Sequence, residues 1–91
     1  MPKDEPVITP IIHLNGDRKD TLIRQLQDAY TAVNEARDAL RACSPNARNY
    51  YLDPGRLGQA QAQHLERMAH LQAVAASLDA EARQLDKEYP A

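Results

Sequence analysis

An all-α fold is predicted for this chain of 91 residues: a long antiparallel helical hairpin, with helices at about residues 18–43 and 54–88, an extended N-terminal arm, and homo-oligomerisation to complete a helical bundle. Three observations lead there. Apolar residues recur at alternating spacings of four and three along two stretches, the pattern of a helix stripe. A connector containing Pro45 and Asn46 separates the stretches. The apolar 43% of the chain includes fifteen alanines and ten leucines but no Phe or Trp, so two helices alone make a thin core.

Residues 1–16 form the arm. Pro2, Pro6 and Pro10 forbid a helix there, and Val7, Ile8, Ile11 and Ile12 favour an extended chain. The first six residues are expected to fray. Ile11-Ile12-His13-Leu14 reads as a short strand ended by the Asn15-Gly16 turn signal, and a lone strand must lie on the helices or pair with another chain. Residues 17–91 form the hairpin as a single domain. Asp17 is the predicted N-cap of the first helix, with Asp20 in the first turn. The seam of that helix is Leu22, Leu26, Ala29, Val33, Ala36, Leu40 and Cys43, widened on one flank by Ile23 and Tyr30. Ser44-Pro45-Asn46 stops it. Asp53 is the second predicted N-cap, because Pro54 then takes the favoured first helical position. The second helix carries Leu57, His64, Met68, Leu71, Ala75, Leu78, Ala82 and Leu85 in the same rhythm, with Leu65 and Val74 beside them. Gly55 and Gly58 weaken its start.

Composition narrows the function classes. Eleven basic and thirteen acidic residues give a net charge of −2, against broad nucleic-acid binding. One cysteine excludes an internal disulfide framework. No apolar stretch approaches the roughly 20 residues of a membrane span, and the opening MPKDEP is not that of a signal peptide, so a cytoplasmic protein is expected. His64 and His70 are six apart, on different helix faces, and Cys43 at a helix C-terminus lacks the electropositive setting of a nucleophile. The Gly55-Arg56-Leu57-Gly58 match to GxxG lacks the strands that would give it meaning. No carboxylate pair converges in sequence. The expectation is a protein that is not an enzyme and needs no metal or cofactor.

Charge is unevenly distributed. Residues 37–56 hold Arg37, Arg41, Arg48 and Arg56 against Asp38 and Asp53, whereas the segments on either side are acidic. The connector is thus a basic pole, and it also holds Tyr50 and Tyr51 and leads into a helix start. Guanidinium forks, aromatic faces and helix-start amides together suit a phosphate beside a planar base. The competing reading has Tyr50 and Tyr51 packing the loop onto the helix ends while the arginines are solvated. A second candidate is His13 with Asn15, whose ring and amide offer donors and acceptors while Gly16 admits a ligand to the backbone. Its alternative is a strand end and a turn.

Ile12-His13-Leu14-Asn15-Gly16 before a helix, and Pro45-Asn46-Ala47-Arg48-Asn49-Tyr50-Tyr51 between two helices, resemble a family of small phage and prophage proteins. Its members share an IHLNG opening, a central PNGRDYY stretch and an Ala/Leu-rich second helix, and the likeness spans about residues 8–85. This chain departs from the pattern with Ala47 for Gly and Asn49 for Asp. The resemblance implies a bacteriophage context, in which small helical oligomers disarm host immunity and some sequester nucleotide second messengers. The function expected is a non-catalytic sponge for a nucleotide-like signalling molecule, bound between subunits in the host cytoplasm. Arg48 and Arg56 would hold phosphate, Tyr50 or Tyr51 would stack on the base, and His13 and Asn15 would read polar edges. A hairpin keeps these two groups apart, so a shared site needs an antiparallel neighbour or a folded-back arm. The alternatives are a helical inhibitor or adaptor that binds a host defence protein through exposed Ile23, Tyr30 and Val74, and a minor structural or assembly factor.

Overall fold

In the computed structural model, which describes residues 6–90, the two periodic stretches form α1 (Lys19–Arg41) and α2 (Pro54–Glu88), joined through a 3₁₀ turn at Ala47–Asn49. The fraying expected over the first six residues falls, for residues 1–5, outside the described part. No strand occurs among the described residues, so the strand expected at residues 11–14 is absent. A strand needs a ladder partner, and helices whose backbone bonds are internal offer none. The turn signal does operate: the Gly16 N–H donates to the His13 carbonyl at 3.2 Å.

Helix ends follow local bonding more closely than side-chain signals. Arg18, not Asp17, occupies the N-cap position of α1, and no side chain caps it. Asp20 bonds the adjacent Thr21 N–H at 3.0 Å. At the other end, the amides of Ala42, Cys43 and Ser44 donate three residues back to Ala39, Leu40 and Arg41. That tightened turn ends α1 two residues before the expected Cys43. Asp53 does stand at the N-cap of α2 with Pro54 next, but its carboxylate makes no cap bond; it pairs with Arg56 at 3.1 Å.

The seam of α2 is buried or half-buried at every expected position, with Leu85 fully enclosed and Ala75 and His64 buried. On α1, Leu22, Leu26, Ala29, Val33 and Leu40 face α2, but Ala36 and Cys43 are exposed and Arg37 takes the place in line. A straight α-helix drifts by about 20° per heptad against a strict seven-residue repeat, enough to exchange one position for its neighbour. The Arg37 stem covers the seam while its guanidinium donates to Asn34 Oδ1 at 2.8 Å and to Gln72 Oε1. Its Nε is buried without a partner.

Three cross-links set the register. Lys19 Nζ pairs with Asp86 at 2.9 Å and bonds the Tyr89 carbonyl, tying the start of α1 to the end of α2. Arg37 reaches Gln72 midway, and Ser44 Oγ lies 3.1 Å from His64 Nε2 beyond the end of α1. Residues 54–63 of α2, about 15 Å at the helical rise, therefore project past α1. There Leu57 and Ala60 are half-buried, as are Pro45, Asn46 and Tyr50, consistent with the connector climbing over that projection. At the opposite end Thr9 Oγ1 donates to the Glu88 carboxylate at 2.9 Å. The molecule measures 62 × 24 × 18 Å. No helix among the described residues is long and apolar enough to cross a membrane.

Candidate functional site

The expected site residues fall at two ends of the hairpin. His13 and Asn15 lie in the turn before α1, beside the C-terminus of α2. Arg48, Tyr50, Tyr51 and Arg56 lie in or just after the connector, with the whole of α1, about 34 Å, between the two groups. One chain does not bring them together.

In the connector, Asn46 organises the turn. Its Oδ1 accepts the Arg48 N–H at 3.1 Å and also faces Arg48 Nε at 3.4 Å, folding the guanidinium back over its own turn. Ala47 enters this turn without strain, since no non-glycine residue among those described has positive φ. Tyr50 is half-buried, its amide bonded to the Ala47 carbonyl and its carbonyl to the Asp53 N–H, so it serves the loop. Tyr51 is 76% exposed and the adjacent Leu52 87% exposed. Of the two tyrosines, Tyr51 is the one with a ring free to stack.

The basic pole is partly neutralised. Arg41 is paired with Asp38 and Arg56 with Asp53, while Arg37 is held by the amide oxygens of Asn34 and Gln72. Among the described residues Arg48 has only the Asn46 oxygen as a side-chain partner, and no carboxylate lies within ion-pair distance of it. The Asp53 carboxylate also stands close to the first turn of α2, where an anion was expected, so a phosphate there must displace it. An exposed pair such as Asp53 with Arg56 is worth at most about 1 kcal/mol and opens readily.

At the other end, the space over Gly16 is filled by His13 itself. A Cβ on Gly16 would lie 2.8 Å from His13 Nε2, so the imidazole covers the backbone that the sequence left open to a ligand. His13 and Asn15 are both exposed. Among the described residues no group of three or more His, Cys, Asp or Glu side chains is gathered as a metal site requires.

A further concavity was not anticipated. An open groove of about 380 Å³ runs between the N-terminal half of α1 and the C-terminal part of α2. Ile23, Leu26, Tyr30, Leu78 and Ala82 form its apolar lining, and Gln27, Asp79, Arg83 and Asp86 its polar rim. The signal for it was present: Ile23 and Tyr30 form a second apolar row that a two-helix seam does not consume. Val74 is not among the lining residues; it stands 43% exposed one helical turn before Leu78, on the same face of α2. Comparison of the chain with models of known protein families, with curated proteins and with solved structures finds no match in any of the three.

Proposed function

We propose that the chain is a phage-encoded, non-catalytic binding protein that works as a homo-oligomer in the cytoplasm of the host cell. It is a counter-defence sponge, capturing a nucleotide-like signalling molecule at sites between subunits. The observation that carries this reading is one exposed connector that pairs Arg48, which no described carboxylate neutralises, with the solvent-facing ring of Tyr51. A guanidinium and an aromatic face a few residues apart match a phosphate joined to a base. The phage context rests on the IHLNG and PNARNYY motifs. The N-terminal arm is extended, and its His13 and Asn15 read polar edges of the ligand from a neighbouring subunit. Separation of the two groups by the length of α1 makes such a site composite, so capture and assembly are coupled.

Native mass spectrometry of protein purified gently from bacteria, with analysis of what denaturation releases, tests the reading. The expected result is a nucleotide-like mass in fixed ratio to subunits, lost in Arg48→Ala and Tyr51→Ala while helicity is unchanged. Protein that releases nothing, and that takes up neither cyclic dinucleotides nor adenosine phosphates when these probes are added, overturns it. A second reading, docking onto a host protein, draws on Leu52 at the connector tip. Under it, Leu52→Asp abolishes activity in cells while Arg48→Ala does not.

A further inference from the structure

Three large aliphatic side chains of the N-terminal segment stand in water: Ile8, Ile11 and Leu14 are 83%, 77% and 98% exposed. They recur every third residue, beside Pro6 and Pro10, and a polyproline-type chain advances about 9 Å per such repeat. Val7, Thr9, Pro10 and Ile12 between them are half-buried, with Thr9 bonded to Glu88. The segment therefore has one docked side and one bare apolar side.

The groove lies at the same end of the molecule. From Leu78 to Asp86 it extends about 12 Å at the helical rise, room for two aliphatics one repeat apart. Its rim is neutral overall, because Arg83 pairs with Asp79 at 2.8 Å and Asp86 with Lys19 at 2.9 Å. Such a rim suits an uncharged apolar guest better than a polyanion or a strongly basic peptide. Surface area points to how much is left to cover. The chain exposes 7233 Å², whereas a compact monomer of 10.2 kDa exposes about 5300 Å². The excess of roughly 1900 Å² lies within the range that each chain buries in an obligate homodimer, about 1000–2500 Å².

We propose that the occupant of the groove is a second copy of this chain. The bare side of residues 8–14 of one protomer lies in the groove of its partner, and the exchange is reciprocal about a two-fold axis. Ile8 and Ile11 then cover the apolar lining while Thr9 keeps the segment on its own α2. An isologous contact of this kind closes on itself. It leaves the connector of each protomer outside the contact, since the connector and the groove lie at opposite ends of the hairpin. The inference rests on the reading that the protein works as an oligomer and is independent of what it binds.

Sedimentation velocity of the full chain at tens of micromolar tests it, with Ile11→Asp and Tyr30→Asp as variants. The expected result is an assembled wild type and, in each variant, a species of half the mass or less with helicity retained. Unchanged mass in either folded variant overturns this docking and leaves the oligomer reading standing. A monomeric wild type overturns both. If Tyr30→Asp loses its helix signal, Ile11→Asp decides alone, because Ile11 lies outside both helices.

Discussion

His64 is the one polar side chain among the three that α2 buries. Its partner Ser44 has a single hydroxyl proton, and the Arg41 carbonyl takes it at 2.7 Å. Ser44 Oγ must then accept from the imidazole, so His64 carries its proton on Nε2. Nitrogen chemical shifts of the ring should report that tautomer. Ser44→Ala leaves a buried N–H without an acceptor and is expected to lower stability by about 1 kcal/mol, read as an earlier midpoint in urea. An unchanged midpoint would mean that water reaches the ring. The position of His64 on the seam was legible from spacing alone. Its partner, twenty residues away across a connector, was not, because nothing in a periodic pattern says where a loop turns back. The pair of Asp53 with Arg56 was legible, since three residues apart is contact distance at a helix start, and it weakens the expected role of Arg56 in holding phosphate.

Within α2, Gly58 is a helical residue whose added Cβ would meet nothing within 4 Å. Gly58→Ala is therefore expected to stabilise the hairpin by up to about 1 kcal/mol through backbone propensity, seen as a higher melting temperature by circular dichroism. A lower one would reveal a neighbour packed against that turn. The boundaries of α2 were readable because Asp53-Pro54 opens it with strong chemistry. Those of α1 were not: Asp17 sits one residue too early to cap, and the last turn tightens instead of running on to Cys43. The seam of α1 was readable from Leu22 to Val33 and again at Leu40, but slipped from Ala36 to Arg37, because a seven-residue repeat and a 3.6-residue helix separate only over distance. The groove belongs to the same lesson. Ile23 and Tyr30 were visible as a second row, but that α2 would set Leu78 and Ala82 opposite them depended on register, which came from Lys19, Arg37 and Ser44.

As a whole the molecule is a rod. Its radius of gyration is 18.4 Å, against about 12 Å for a compact domain of this length. A two-helix rod buries one face of each helix, which is why, among the described residues, full burial is confined to Leu85 and near-full burial to Ala75 and His64. All three lie on α2 between residues 64 and 85, alongside α1. The twelve-residue excess of α2 over α1 has a consequence for how the rod opens. Its first turns have a loop for a neighbour instead of a helix, and two glycines among them. Amides at residues 55–62 should therefore exchange with deuterium well before those at 70–85, and equal protection along α2 would contradict it. The rod melts from the tip that displays Arg48 and Tyr51, and a guest clasped there would slow exchange first where the protein holds itself together least.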